Sequence, residues 1–398
     1  MEDRAASLGR LMTIPMSVVD NPRALAGETY PEAMKDLLSH AKAEEAFDSI
    51  SGWPGYAPTP VVGLGALARA AGIAEIIYKD EGGRFGLGSF KALGGALAVE
   101  AEYARIRAED DGRARPTPTF ASATDGNHGR AVAWGAQRVG CRCVIYLHAG
   151  VSLARERAIA ALGAEIRRVD GNYDDSVRQA QEESARNGWI VISDTSYGDY
   201  RAIPCRIMQG YTVLAREILD RGIRPTHIFV QGGVGGLAAA MAAHFWEEFG
   251  AERPRLIVVE PENAACLARS AAAGHPVVVT GALDTVMAGL ACGEVSEVAW
   301  EILDAAADHF VTLPDRAAIE AMRLLAMNDP AIVAGESATA GLAACLIASG
   351  LPEMRKRLGL SDDSRVLCIG TEGATDPESY ERLVGRTARE NALRPDCI

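Results

Sequence analysis

Short β-rich runs alternate with Ala- and Leu-rich stretches of helical period along most of this chain. The runs lie at 76–79, 119–122, 143–147, 190–193, 228–231, 256–260, 310–312 and 366–370. Between them, residues 131–139, 152–162, 206–219 and 237–249 carry apolar side chains at helical spacing. Such alternation predicts an α/β protein whose parallel-rich sheets are flanked by helices. The stretch before Tyr56 reads as irregular, with Ala57-Pro58-Thr59-Pro60 as an extended entry segment. No repeat interrupts the pattern, and the polar segment 108–118 reads as a linker or domain crossover.

Composition narrows the classes. The 398 residues give room for two or three domains, large enough to need no disulfide or metal staple. With 48% hydrophobic and 23% charged residues the chain is not disordered. Fifty-three acidic against 40 basic side chains leave a net charge of −13, the wrong sign for a nucleic-acid or membrane-surface partner. No apolar run reaches the ~18 residues of a membrane span. The opening MEDRAASLGRLMTIPM lacks the build of a signal peptide, so a cytoplasmic location is expected. Eight cysteines form no C-x-x-C pair and have no neighbouring histidines, which argues against a metal site.

Glycine, at 41 residues, is enriched where the chemistry gathers. In the first of three clusters, Gly232-Gly233-Val234-Gly235-Gly236-Leu237 follows an apolar run and opens an Ala-rich helix, so its amides make an anion cradle. A plain tight turn uses the same residues. Gly233-x-Gly235-x-x-Ala238, with Glu260 ending the next strand, also fits a dinucleotide fingerprint. The motif alone says phosphate and does not separate these readings. In the second cluster, a glycine-rich run from Asp80 ends at Phe90-Lys91, where the next helix begins. A helix start disfavours a cation. Together with burial among Phe85, Phe90 and Leu93, it is expected to depress the Lys91 pKa and favour the neutral amine that Schiff-base chemistry needs. The alternative is a solvated lysine. In the third, Thr124-Asp125-Gly126-Asn127-His128-Gly129 turns the chain and caps a helix. There Asn127 can offer its amide to a cofactor hydroxyl, Asp125 is a candidate base, and His128 reads as a packing or hydrogen-bonding histidine.

In this order the three clusters resemble the pyridoxal-phosphate enzymes of the tryptophan synthase β-subunit type (fold type II). Lys79-Asp80-Glu81, Arg84-Phe85-Gly86-Leu87, Ile203-Pro204, Ile207-Met208-Gln209-Gly210-Tyr211, MAGLACGE at 287–294, Gly335-Glu336-Ser337 and Thr371-Glu372-Gly373 narrow the resemblance. They look like the diaminopropionate ammonia-lyase family, over about residues 56–376.

The resemblance implies a two-domain homodimer. Residues 1–92 and 222–398 would form the large, cofactor-binding domain and 93–221 the small one. It implies Lys91 carrying pyridoxal 5′-phosphate as a Schiff base, with Phe90 alongside and Asn127 at the 3′-oxygen. The amides of Gly232, Gly233, Val234, Gly235, Gly236 and Leu237 would hold the phosphate, and Thr371 would meet the ring nitrogen. A neutral hydroxyl there suits elimination from Cβ. Asp194 is implied as the contact for the substrate's amino groups, against a turn or capping aspartate. The implied reaction removes ammonia from D- or L-2,3-diaminopropionate and ends in pyruvate and a second ammonia, with Lys91 the base for the L-enantiomer and Asp125 for the D-enantiomer.

The chain also departs from that family. Tyr197-Gly198-Asp199 replaces a Trp-Glu-Gly run, and Gly88-Ser89 replaces Asn-Ala. These positions flank the expected pocket and leave the exact substrate open. Cys266 and Cys292 match family cysteines that pair in a disulfide, whereas thiols are expected in the cytoplasm. A serine/threonine dehydratase, a β-substituting synthase, a nucleotide-dependent oxidoreductase and a non-catalytic cofactor-binding protein are the competing classes.

Overall fold

In the computed structural model, which describes residues 4–109, 116–124, 126–171 and 173–392, the strands sort into two sheets. They are β1 (Ser17–Asp20), β2 (Val61–Gly63), β3 (Glu75–Asp80), β4 (Thr119–Ala123), β5 (Arg142–His148), β6 (Glu165–Val169), β7 (Ile190–Val191), β8 (His227–Gln231), β9 (Arg255–Pro261), β10 (His309–Leu313) and β11 (Arg365–Gly370). The larger sheet has the order β1-β10-β9-β8-β11-β3-β2, the smaller β6-β5-β4-β7. Every pairing is parallel except at the two edges of the larger sheet, where β1 and β2 run antiparallel to their neighbours.

Helices cover both sheets. In chain order they include α1 (Arg4–Leu11), α2 (His40–Ser51), α3 (Gly65–Ala71), α4 (Lys91–Ala108), α5 (Asn127–Arg138), α6 (Leu153–Ala160), α7 (Tyr173–Asn187), α8 (Ala202–Leu219), α9 (Gly236–Phe249), α10 (Cys266–Ala273) and α11 (Glu297–Ala306). The alternating pattern anticipated the buried strands and missed β1, β2 and β6. The first two are short edges, and β6 (EIRRV) buries little. The expectation of an irregular N-terminus is corrected. Ser39 caps α2 by accepting the Lys42 amide, and Ala43, Ala46 and Ile50 form a narrow buried stripe among charged residues. Of the expected linker, 110–115 lie outside the described residues.

Helix α8 is the hinge piece of the packing, touching α2, α4 and α9. Its approach to α4 is close enough to demand glycine. A Cβ on Gly210 would stand 2.1 Å from Leu93 O, and one on Gly94 would stand 2.5 Å from the Tyr211 ring. Below this contact four charges are sealed from solvent. Lys79 Nζ meets Glu217 Oε2 at 2.5 Å, Arg84 Nη1 meets Glu217 Oε1 at 2.7 Å, and Arg84 Nε meets Glu81 Oε2 at 2.7 Å. Thr59 O takes a further Lys79 bond at 3.0 Å, and the Tyr56 hydroxyl donates to Glu217 at 3.1 Å. Burial pushes the Glu217 carboxyl up, but Arg84 and Lys79 outweigh it and hold the group below its ordinary value.

Gly210→Ala tests the α4–α8 contact. The added methyl has a backbone carbonyl, not a flexible side chain, in its way, so the helices must separate. A loss of about 2–3 kcal/mol in urea unfolding is expected. A variant as stable as the wild type would mean that the helices sit further apart than described.

Candidate active site

Functional side chains converge at the carboxyl ends of β3, β8 and β11, which are neighbours in the larger sheet, facing loops that leave β4 and β7 of the smaller one. Phe90 stands at the N-cap of α4 and donates its amide to Thr371 O at 3.1 Å, joining the loop after β3 to the end of β11. Lys91 follows as the first helical residue. Its Nζ donates to Asp194 Oδ2 at 2.7 Å and lies 5.4 Å and 5.8 Å from the ring centres of Phe90 and Tyr211. Those rings pack on each other at 4.7 Å, whereas Phe85 turns away to Trp53 and Trp134.

The expected depression of the Lys91 pKa is corrected. Burial does pull the amine down, yet the Asp194 carboxylate overturns that effect and the net shift is upward. Asp194 mirrors it. Burial pushes the carboxyl up, but Lys91 and then His128 hold it well below the usual carboxylate range. In the cofactor-free chain the pair is an ammonium and a carboxylate. Asp194 therefore does not serve as a simple cap. His128 Nε2 lies 3.0 Å from Ile192 O, and burial lowers its pKa.

Asn127 opens α5 and donates Nδ2 to Glu372 Oε2 at 2.5 Å. Glu372 also accepts the Ser337 amide at 3.1 Å and the Thr375 hydroxyl at 3.2 Å. Beside it, Arg155 Nη2 meets Glu336 Oε1 at 3.0 Å. Burial and the neighbouring Glu372 push Glu336 up to about 7. Thr371 is buried just beyond β11. Asp125 lies outside the described residues.

The glycine loop divides its amides. Gly232 N is spent on Val259 O at 2.9 Å and Gly235 N on Gly232 O at 3.3 Å. Among the described residues no acceptor takes the amides of Gly233, Val234, Gly236 or Leu237, the last two being in the first turn of α9. The anion cradle is thus narrower than six amides. Gly235, at φ 101°, faces the core: a Cβ there would stand 3.0 Å from Leu303 and 3.2 Å from Ala299. Gly236 faces the site, 3.5 Å from Met208 and 3.8 Å from Tyr211 by the same construction.

Glu260 closes the dinucleotide reading. It is fully buried, and its carboxylate accepts the Leu267 and Ala268 amides at 2.9 and 2.7 Å, capping α10 from behind the glycine loop. Nothing of it remains for a ribose. Cys266 is a buried thiol that donates to Gly233 O at 3.4 Å. Tyr211, Glu372 and Glu336 received no role from the residue pattern, because each enters the site through a contact far away in sequence. Their one signal was membership of the motifs that carry the family resemblance.

Residues 53–372 match the family model for pyridoxal-phosphate dependent enzymes. The chain is 38% identical over 393 residues to the diaminopropionate ammonia-lyase of Escherichia coli K12, covering 94% of this chain and 97% of that one. It is 38% identical over 364 residues to the Salmonella typhimurium enzyme of that name, covering 84% and 90%. The crystal structure of the E. coli enzyme with an aminoacrylate–PLP azomethine reaction intermediate matches with a TM-score of 0.84 at 38% identity, over 93% of this chain and 97% of that one.

Burial holds the Glu260 carboxyl at about 7, against an ordinary 4.5. Between these values the folded chain binds a proton that the unfolded chain has released. The Glu260 contribution to stability therefore falls as pH rises through that window. Glu260→Gln lacks this titration. In urea unfolding of the cofactor-free protein the variant should be the less stable at pH 5, with the gap narrowing by pH 8. A constant or widening gap would refute the raised value.

Proposed function

The chain belongs to the diaminopropionate ammonia-lyase family of pyridoxal-phosphate dependent enzymes, and from that premise we propose that it removes ammonia from 2,3-diaminopropionate to give aminoacrylate, which water hydrolyses to pyruvate and a second ammonia. The observation that carries this reading is the Lys91–Asp194 pair, set beside two packed aromatic rings and near a helix start with open amides.

The residues present fit the cofactor. Its aldehyde needs an amine, its phosphate dianion needs N–H donors, and its ring needs walls that exclude water. Lys91 supplies the first and the amides of Gly233, Val234, Gly236 and Leu237 the second. Phe90 and Tyr211 supply the third, and the buried Tyr211 hydroxyl has no hydrogen-bond partner among the described residues. Bound there, pyridoxal phosphate supplies an electron sink that makes the Cα proton of an attached amino acid removable and lets the Cβ amine leave.

The side chains do the rest. Asn127 keeps a second N–H, beyond the one given to Glu372, for the cofactor's 3′-oxygen. Thr371 offers a neutral hydroxyl to the ring nitrogen, which keeps the sink weak and favours elimination. Asp194, which holds the Lys91 ammonium before loading, then holds a substrate ammonium. The Lys91 amine takes the Cα proton of the L-enantiomer and Asp125 that of the D-enantiomer. We assign residues 1–92 with 222–398 to the cofactor-binding domain and 93–221 to the small domain. A cytoplasmic homodimer in amino-acid catabolism completes the reading, on the strength of the family resemblance.

Release of ammonia and pyruvate across a panel of Cβ-substituted amino acids tests the substrate. Faster turnover of serine or threonine than of diaminopropionate would make the chain a dehydratase. Lys91→Ala should lower kcat by at least about a thousandfold while the protein stays folded, read by a coupled pyruvate assay and urea unfolding. Near-wild-type rates would remove Lys91 from the chemistry. Asp125→Asn should cost about 10²–10⁴-fold in kcat/KM on the D-enantiomer and spare the L-enantiomer. Equal losses on both would recast Asp125 as a binding group, and no loss would return it to a helix cap.

A further inference from the structure

The segment of residues 193–196 that carries Asp194 is pinned at both ends by hydroxyl groups. At one end the Tyr200 hydroxyl accepts the Ser193 amide at 2.9 Å and donates to Val191 O at 2.8 Å. At the other, Ser196 is 1% exposed and donates its amide to Ser296 Oγ at 3.0 Å. The Ser196 and Ser296 hydroxyls lie 2.9 Å apart, and Ser196 Oγ accepts the Val298 amide at 2.8 Å. Ser296, equally buried, donates its own amide to Val234 O at 2.9 Å, inside the glycine loop.

Hydrogen bonds therefore run without a break from the glycine loop, through two serines, to the loop that sets Asp194 against Lys91. Buried hydroxyl oxygens are costly without partners, and here each accepts an amide while one hydroxyl donates to the other. In the turn that follows, Tyr197 is exposed, its hydroxyl accepts Gln181 Nε2 at 2.8 Å and its ring stacks on Tyr200 at 5.3 Å, while Gly198 sits at φ 51°. The van der Waals side reinforces the link. Leu303 and Ala299 of α11, which Ser296 precedes, leave no room for a Cβ on Gly235, so α11 is keyed to the glycine loop twice.

We propose that Ser196 and Ser296 are positioning residues that hold Asp194 on Lys91 and tie that placement to the glycine loop, with Tyr200 bracing the opposite end. Neither serine contacts the Lys91 amine. They act through the loop, and a shift of the loop by under an ångström suffices to break a 2.7 Å contact. The inference rests on the reading above only in taking the glycine loop as the cofactor's phosphate site. The groups that bear on the Lys91 amine are Asp194, Tyr211 and Cys292, with His128 behind Asp194.

Competitive acetylation of the full-length, cofactor-free protein, with the Lys91 peptide followed by mass spectrometry across pH, reads the amine directly. Ser196→Ala and Tyr200→Phe, at opposite ends of the loop, should each let the carboxylate withdraw. Lys91 then labels about tenfold faster at a fixed alkaline pH, the equivalent of one unit in its titration. In the loaded enzyme both variants should raise KM for diaminopropionate more than they lower kcat. Ser296→Ala should in addition weaken pyridoxal-phosphate binding about tenfold, measured by absorbance titration, whereas Tyr200→Phe should not.

Folded variants whose Lys91 profiles superpose on the wild type would overturn the positioning role, even if their melting temperatures fall. Unchanged cofactor affinity in Ser296→Ala would overturn the tie to the glycine loop. If a serine variant does not fold, Tyr200→Phe alone decides the positioning claim. A wild type that releases no ammonia from diaminopropionate would sink the functional reading and leave the labelling result standing.

Discussion

Lys79, Glu81, Arg84 and Glu217 are sealed from water, and the position of the Tyr211 ring beside Lys91 follows from how they meet. Two cations and two anions balance, and Thr59 and Tyr56 satisfy further polar atoms. Such a cluster is weak evidence for stability, since taking ions out of water offsets most of their attraction. Its value here is geometric. Removing one partner leaves an uncompensated buried charge, at about 3–5 kcal/mol, so no sliding of α8 along β3 keeps all four content. Glu217 lies near the end of α8, and Tyr211 lies less than two turns earlier on the same helix. Fixing Glu217 on Lys79 and Arg84 thus fixes Tyr211 on Phe90, beside the amine.

Close approach of α4 to both α8 and α5 explains why mid-helix glycines appear in all three despite their unfavourable propensity. Gly94, Gly95, Gly135 and Gly210 each sit where a methyl would strike a neighbouring helix. Helix α4 is drawn against α8, and α5 against α4, until backbones touch, and Asn127 at the start of α5 is carried in with them. Asn127 then meets Glu372 from the other sheet, a contact that neither sheet could form alone.

How much of this was legible in the sequence depended on the range of the interaction. Runs such as 228–231 and 366–370 are apolar on both faces because they lie in the middle of a parallel sheet, and periodicity found them. The stripe in α2 is three residues wide in a charged helix and left no such trace. The glycine clusters marked the loops correctly as sites of close approach, yet could not say which amides were already spent. Gly232 and Gly235 look like cradle residues in sequence and are structural in the fold, because their partners, Val259 and the α11 core, lie elsewhere in the chain. The error over Lys91 has the same origin. Local context offered a helix start and aromatic neighbours, both of which lower an amine's pKa. The carboxylate that reverses the sign arrives from 103 residues away.

That reversal bears on how the site is built. An amine kept as an ammonium is protected but inert, and one kept neutral in a buried site is reactive toward any carbonyl that enters. Here the ammonium is retained by one carboxylate, and the carboxylate is retained by a loop tied to the glycine loop. Charge in the pocket stays balanced if Asp194 exchanges one ammonium for another, Lys91's for the substrate's, as the amine gives up its proton. A site that instead neutralised Lys91 by burial alone would leave the arriving substrate ammonium without a counter-charge in a region of low dielectric, where an unpaired ion is costly. Raising the lysine pKa with a transferable partner, against the pull of burial, meets both requirements with one carboxylate.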